Sequence, residues 1–163
     1  MSKEIDKSNS NEVSINSREK IIEFENALIN IADGVFVEGD GKHVVTESKL
    51  APIKHTFADG IYIRQMDMTK NSIVVGAIHK HLHAWFLLTG HVTVTTEDTT
   101  EDYVAPCYVV STPGVKRVIL ANENSIFVNI HKNPSNTKDI DELEKEIVAL
   151  NYREYEKYIN KKR

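Results

Sequence analysis

The spacing of hydrophobic and polar positions changes twice along the chain. Between residues 17 and 34 the apolar residues Ile21, Phe24, Leu28 and Ile31 recur at intervals of three and four. That spacing predicts an amphipathic N-terminal helix of about four turns. Ser17 suits its N-cap, and Gly34, after Asp33, suits its stop. Ahead of it, residues 1–16 are rich in Ser, Asn and charge and read as a mobile polar tail.

From Val35 to His131 the period shortens to two. Segments such as "IYIRQMDM", "HVTVTT", "YVAPCYVV" and "SIFVNIH" alternate with the turn signals "DG", "TG", "TPG" and "NEN". Short strands at regular spacing, with no helix between them, predict an antiparallel sandwich or barrel over residues 35–131. After "NPSN" the helical period returns over residues 132–163. Asp139 with Glu142 suits a cap pair, and Ile140, Leu143, Ile147 and Leu150 form an apolar stripe that Tyr155 and Tyr158 extend. The expectation is one terminal helix, laid across the barrel or used as a dimer arm.

Composition narrows this picture. A chain of 163 residues suits one domain, and 40% hydrophobic with 27% charged residues describes a globular chain and not a disordered one. The formal charge is −4 and no basic block exceeds the final "KKR", which argues against a nucleic-acid partner. Cys107 is the only cysteine, so an internal disulfide and a thiolate zinc cluster are both excluded. The longest apolar run, Ala84 to Leu88, is too short to span a bilayer, and the start lacks an apolar leader. A cytoplasmic location is expected, in the host if the gene is viral, with no membrane partner.

The candidate chemistry lies in "VVGAIHKHLHAWFLLTGHVTV", where His79, His81 and His83 occupy alternate positions. On an extended strand each two-residue step advances roughly 6.6 Å, so neighbouring histidines in this set can share one ion. The outer pair would stand roughly 13 Å apart and needs a bulge or turn to meet. A metal site therefore needs a further ligand, and His131 is the best candidate. In its strand Phe127, Asn129 and His131 share one face, which suits the wall of a small polar cup. His55, Arg117 and Arg64 are further polar residues among apolar neighbours, and Arg64 shares a face with Tyr62 and Met66. Against this stands the ordinary role of a strand histidine, which faces solvent or satisfies a hydrogen bond. The arginines could equally form ion pairs on the sheet surface.

The run "GAIHKHLHAWFLLTGHVTV" followed by "YVAPCYVVSTPGVKRVILANENSIFVNIH" resembles the cupin superfamily of RmlC-like jelly rolls, over about Pro52 to Leu150. It is most similar to the small single-domain cupins of bacteriophage genomes. The resemblance implies an all-β double-stranded β-helix, flanked by an N-terminal and a C-terminal α-helix, that forms a homo-oligomer. In the first cupin motif, anchored on Gly90, the glutamate ligand position falls on His83, the second histidine on His79 and the first on Ala77. In the second motif Pro113 and Gly114 are adjacent, and the expected histidine is Arg117, a permanent cation and a poor metal ligand. The usual three-His, one-Glu set is therefore absent.

Two accounts of the site follow. In one, His79, His83 and His131, with His81 as a further candidate, hold Zn²⁺, Mn²⁺ or Fe²⁺ and leave positions open for a small-molecule ligand. In the other the cup is metal-free, and Arg117, Arg64, Tyr62 and His55 bind a small anion directly. No local signature assigns a catalytic residue. The function expected is binding of a small, anionic molecule, with metal-assisted chemistry, metal-free sequestration and a structural role in an oligomer all open.

Overall fold

The computed structural model describes residues 7–29, 35–37 and 51–162. Helix α1 (Lys7–Ile29) leads into β1 (Val35–Val37), β2 (Ile53–Ala58), β3 (Ile61–Met68), β4 (Ile73–Val75) and β5 (Ile78–His79). There follow β6 (His83–Thr89), β7 (His91–Thr95), β8 (Thr100–Val104), β9 (Cys107–Ser111), β10 (Val118–Ala121) and β11 (Ser125–Lys132). Helix α2 (Ile140–Ile147), β12 (Val148–Ala149) and α3 (Tyr152–Asn160) close the described chain.

Two five-stranded sheets have the orders β1-β4-β10-β7-β8 and β2-β3-β11-β6-β9. Within them, β3-β11-β6-β9 faces β4-β10-β7-β8, the interleaved double Greek key of a jelly roll. Among the described residues every pairing in these two sheets is antiparallel except that of β1 with β4. The expected all-β double-stranded β-helix with flanking helices is therefore present. Period-two alternation explains it, because each strand turns one apolar set inward.

One half of the interior is apolar. Met66 and Met68 from β3, Trp85 and Leu87 from β6, Val92 and Val94 from β7, and Phe127 from β11 form the main core. Trp85 stacks on Phe127 at 4.8 Å and meets Tyr103 edge-on at 4.9 Å. Burial of each such side chain stabilises the fold by roughly 1.5–3 kcal/mol. Further along the same inward rows the residues become polar, and this is where the candidate site lies.

The turn at Thr89-Gly90 requires glycine. Gly90 has φ +87°, and a Cβ there would stand 2.5 Å from the Asn124 carbonyl oxygen.

Three boundaries differ from the expectations. Helix α1 begins at Lys7 rather than after Ser17, so its first ten residues lie in what reads as a polar tail. Once Ile21 and Leu28 are docked, each preceding residue adds a hydrogen bond without a new nucleation cost. Glu25, not Phe24, shares their buried face, and Phe24 is exposed. Ile31 and Gly34 lie outside the described residues. The C-terminal stripe forms two helices and not one: Val148 and Ala149 leave the helix to pair with His79 and Ile78 of β5. Finally, β11 extends one residue past His131, to Lys132.

Helix α1 is fastened by buried charge. The Glu25 carboxylate meets Lys116 Nζ at 2.8 Å, with both side chains almost fully buried. Arg18 Nε lies 3.5 Å from Glu97, which also accepts a hydrogen bond from the Tyr152 hydroxyl. The Arg18 guanidinium sits 4.7 Å from the Tyr152 ring centroid, so α1, the loop after β7 and α3 are joined.

Candidate metal centre

Three histidines meet at the polar end of the barrel. His79 is the last residue of β5, His83 the first of β6, and His131 the penultimate residue of β11. All three are buried. Their ring centroids are 4.1 Å apart for His79 and His83, and 4.7 Å for His131 with either one. One ring nitrogen from each lies within 4.8 Å of the other two. Among the described residues no carboxylate or thiol belongs to this group.

The backbone explains the meeting. The chain bends at Lys80 and His81, so the pair that extended geometry would hold roughly 13 Å apart is folded together. Two bonds fix the bend: Gly114 N–H donates to the His79 carbonyl at 2.9 Å and Lys80 N–H to that of Ile147 at 2.7 Å. Pairing of His79 with Val148 of β12 adds a third restraint. His131 lies opposite Tyr62 of β3, and the two rings stack at 5.9 Å.

The histidines are held neutral. Burial is the main cause for each. His83 is lowered to about 4 by burial and the Arg117 charge, partly offset by its bond to the His81 carbonyl. His79 is lowered well below the ordinary range by burial and then by His131, His83, Arg117 and Arg64. His131 is lowered by burial and then by His83, Arg64, Arg117 and His81. Neutral imidazole is the ligating form. His83 Nδ1 lies 3.5 Å from the His81 carbonyl, a long contact in which Nδ1–H donates and Nε2 keeps the lone pair. That Nε2 and His79 Nδ1 are buried without a hydrogen-bond partner. Orphaned buried nitrogens cost free energy unless something binds them, so the donor set fits a divalent transition metal.

The other sequence candidates divide by position. His81 stands apart from the cluster: it is partly exposed and meets Tyr158 of α3 edge-on, with the Tyr158 hydroxyl 3.3 Å from Nδ1. His55 Nδ1 lies 2.7 Å from the Tyr62 hydroxyl at the barrel's margin. Arg64 and Arg117 are buried, at 8% and 7% exposure, and line two different cavities.

On the Arg64 flank a cavity of about 20 Å³ is lined by Tyr62, His79, His131, Glu144 and Val148. It has room for about one water. Helix α2 and β12 close this side, through Leu143, Ile147 and Val148 packed on Tyr62 and Ala77. On the Arg117 flank a cleft of about 230 Å³ opens between β7–β8 and β6–β9, reaching Trp85, Tyr103, Ser111 and Arg117.

Glu144 and the cleft residues Tyr103 and Ser111 are not among the residues that the sequence pattern marks. Glu144 was within reach of helix phasing, since it follows the inward Leu143. Tyr103 and Ser111 lie on strands whose pairing places them, and nothing local marks them.

No family model matches the chain, and no curated protein is significantly similar to it. Solved structures similar to it include KdgF from Halomonas sp., with TM-score 0.47 and 11% identity over 53% of this chain and 82% of that one. An RmlC-like cupin from Shewanella frigidimarina gives TM-score 0.47 and 15% identity over 54% of this chain and 81% of that one. Ectoine synthase from P. lautus gives 0.48 and 11% over 54% and 67%. Likenesses this distant leave the jelly-roll assignment resting on strand order and register. No described helix is long and apolar enough to cross a membrane.

Proposed function

We propose that this chain binds a small anionic molecule at a divalent transition metal, Zn²⁺, Mn²⁺ or Fe²⁺, held by His79, His83 and His131. The observation that carries the reading is the convergence of three buried, neutral imidazoles, one ring nitrogen of each within 4.8 Å of the others, with His79 Nδ1 and His83 Nε2 buried and unpartnered. A metal bound there supplies Lewis-acid polarisation of a coordinated oxygen. The chain's own residues do the rest. The bend at Lys80–His81 and β12 orient His79, and the His81 carbonyl orients His83. Arg64 and Arg117 are buried guanidiniums near the histidines and are the groups that would orient an anionic ligand. Arg117, in the open cleft, is the anchor for that anion. Zn²⁺ titrated into chelator-treated protein tests this: it raises the melting temperature of the wild type and leaves that of His131→Ala unchanged. No shift in the wild type would contradict the reading.

The chain also pairs with a second copy of itself through the outer face of β6 and the edge strand β9. Leu88, Tyr108 and Val110 are 51%, 67% and 62% exposed there. An apolar edge of that kind is a liability unless covered. Sedimentation of wild type against a Tyr108→Lys, Val110→Lys variant tests it, with a dimer expected to become a monomer.

A further inference from the structure

We infer that Asn129 is a fourth protein donor of the histidine centre, its amide oxygen joining the three imidazoles on one metal ion. The inference rests on the reading of His79, His83 and His131 as ligands, and its test separates the two.

Asn129 stands where the barrel interior changes from apolar to polar. Along β11 the alternate residues Phe127, Asn129 and His131 are all buried. Phe127 belongs to the apolar core and His131 to the histidine cluster. Asn129 lies between them, opposite Arg64 of β3 and Trp85 of β6. One two-residue step along the strand, roughly 6.6 Å, separates it from His131. His83 is one such step from Trp85 on β6, hence diagonal to Asn129 at roughly 7–8 Å between Cα atoms. A point between the two imidazoles is within reach of an amide side chain placed there.

The amide is 7% exposed and makes no hydrogen bond to any described residue. Asn133, also buried, shows the contrast: its amide donates to the Thr137 carbonyl and accepts from the Thr137 N–H. An unmet amide in the interior costs free energy, and an apolar side chain of similar size would fill the space without that cost. His79 Nδ1 and His83 Nε2 are unpartnered in the same way. Two imidazole lone pairs and an amide carbonyl oxygen have one requirement in common, which a single cation meets.

The fourth donor also bears on which metal is held. Three imidazoles suit Zn²⁺ well, whereas a carbonyl-type oxygen is a harder donor and favours Mn²⁺. A mixed nitrogen and oxygen set therefore narrows the gap between Mn²⁺ and Zn²⁺ that three imidazoles alone would leave.

The test is competitive titration of the chelator-stripped full chain with Mn²⁺ and with Zn²⁺, for wild type, Asn129→Leu and Asn129→Asp. Asn129→Leu should weaken Mn²⁺ by about tenfold or more, and Zn²⁺ by less. Asn129→Asp keeps the oxygen and should bind Mn²⁺ at least as tightly as wild type. A role in packing alone would change both metals alike and would not be rescued by Asp. A second measurement needs no variant: pulsed electron paramagnetic resonance of Mn²⁺-loaded wild type whose asparagine is labelled with ¹³C at the side-chain carbonyl. Coupling of Mn²⁺ to that carbon is expected. Unchanged affinities in Asn129→Leu, an Asn129→Asp variant as weak as Asn129→Leu, or absence of the coupling would overturn the inference and leave the three histidines holding the metal. A wild type that binds neither Mn²⁺ nor Zn²⁺ would remove the centre and this donor together.

Discussion

His79 and His83 hold their ring centroids 4.1 Å apart although three residues lie between them. The bend at Lys80–His81 that unites them sends the intervening His81 outward to Tyr158. Three evenly spaced histidines are thus divided by backbone geometry into two buried groups and one partly exposed group.

Their burial predicts a pH dependence. An unfolded histidine takes up a proton near pH 6.5, whereas folded His83 does so only at about 4. Between these values the unfolded chain binds more protons, so metal-free stability falls as pH drops through that window. His83 alone accounts for up to about 3 kcal/mol, at about 1.4 kcal/mol per pH unit, and His79 and His131 act in the same direction. Urea midpoints at pH 7.5, 6 and 5 in chelator should show this slope. His83→Gln should reduce it, and a flat wild-type profile would refute the assignment.

The Glu25–Lys116 pair makes a second prediction. Glu25→Ala leaves the Lys116 ammonium buried without its carboxylate, with an expected loss of about 3–5 kcal/mol. Replacing both by methionine should be far milder. Urea unfolding of the two variants decides it, and equal losses would mean the pair matters only for packing.

Gly114 carries the third. Its φ of +86° is unfavourable for any side chain, and a Cβ would lie 2.5 Å from Tyr155 Cε1 of α3. Gly114→Ala should destabilise by more than about 1 kcal/mol and loosen α3. Tyr155→Ala in that background should recover only part of the loss, since the backbone strain remains. Thermal unfolding of the single and double variants measures both.

What could be read from the sequence followed local periodicity. Tyr62, Arg64 and Met66 share one face because strand alternation has a period of two, and the same rule set Phe127, Asn129 and His131 inward. Asp139 caps α2 as its spacing to Glu142 suggests, accepting from the Glu142 N–H. Long-range pairing left no such mark. Val148 and Ala149 continue an apolar helical stripe in sequence, yet they leave the helix because β5 offers them a partner. The choice of His79 and His83 over His81 depends on a bend fixed by Gly114 and Ile147, residues far away in the chain. The cleft, likewise, exists only once β7–β8 and β6–β9 face each other.

The central claim is that His79, His83 and His131 form one metal centre. Elemental mass spectrometry of untagged protein purified without chelators tests it most directly, beside the His79→Ala, His83→Ala double variant and His81→Ala. The account predicts near one equivalent of a transition metal per chain in the wild type and in His81→Ala, and none in the double variant. Metal absent from the wild type, or retained by a folded double variant, would contradict it.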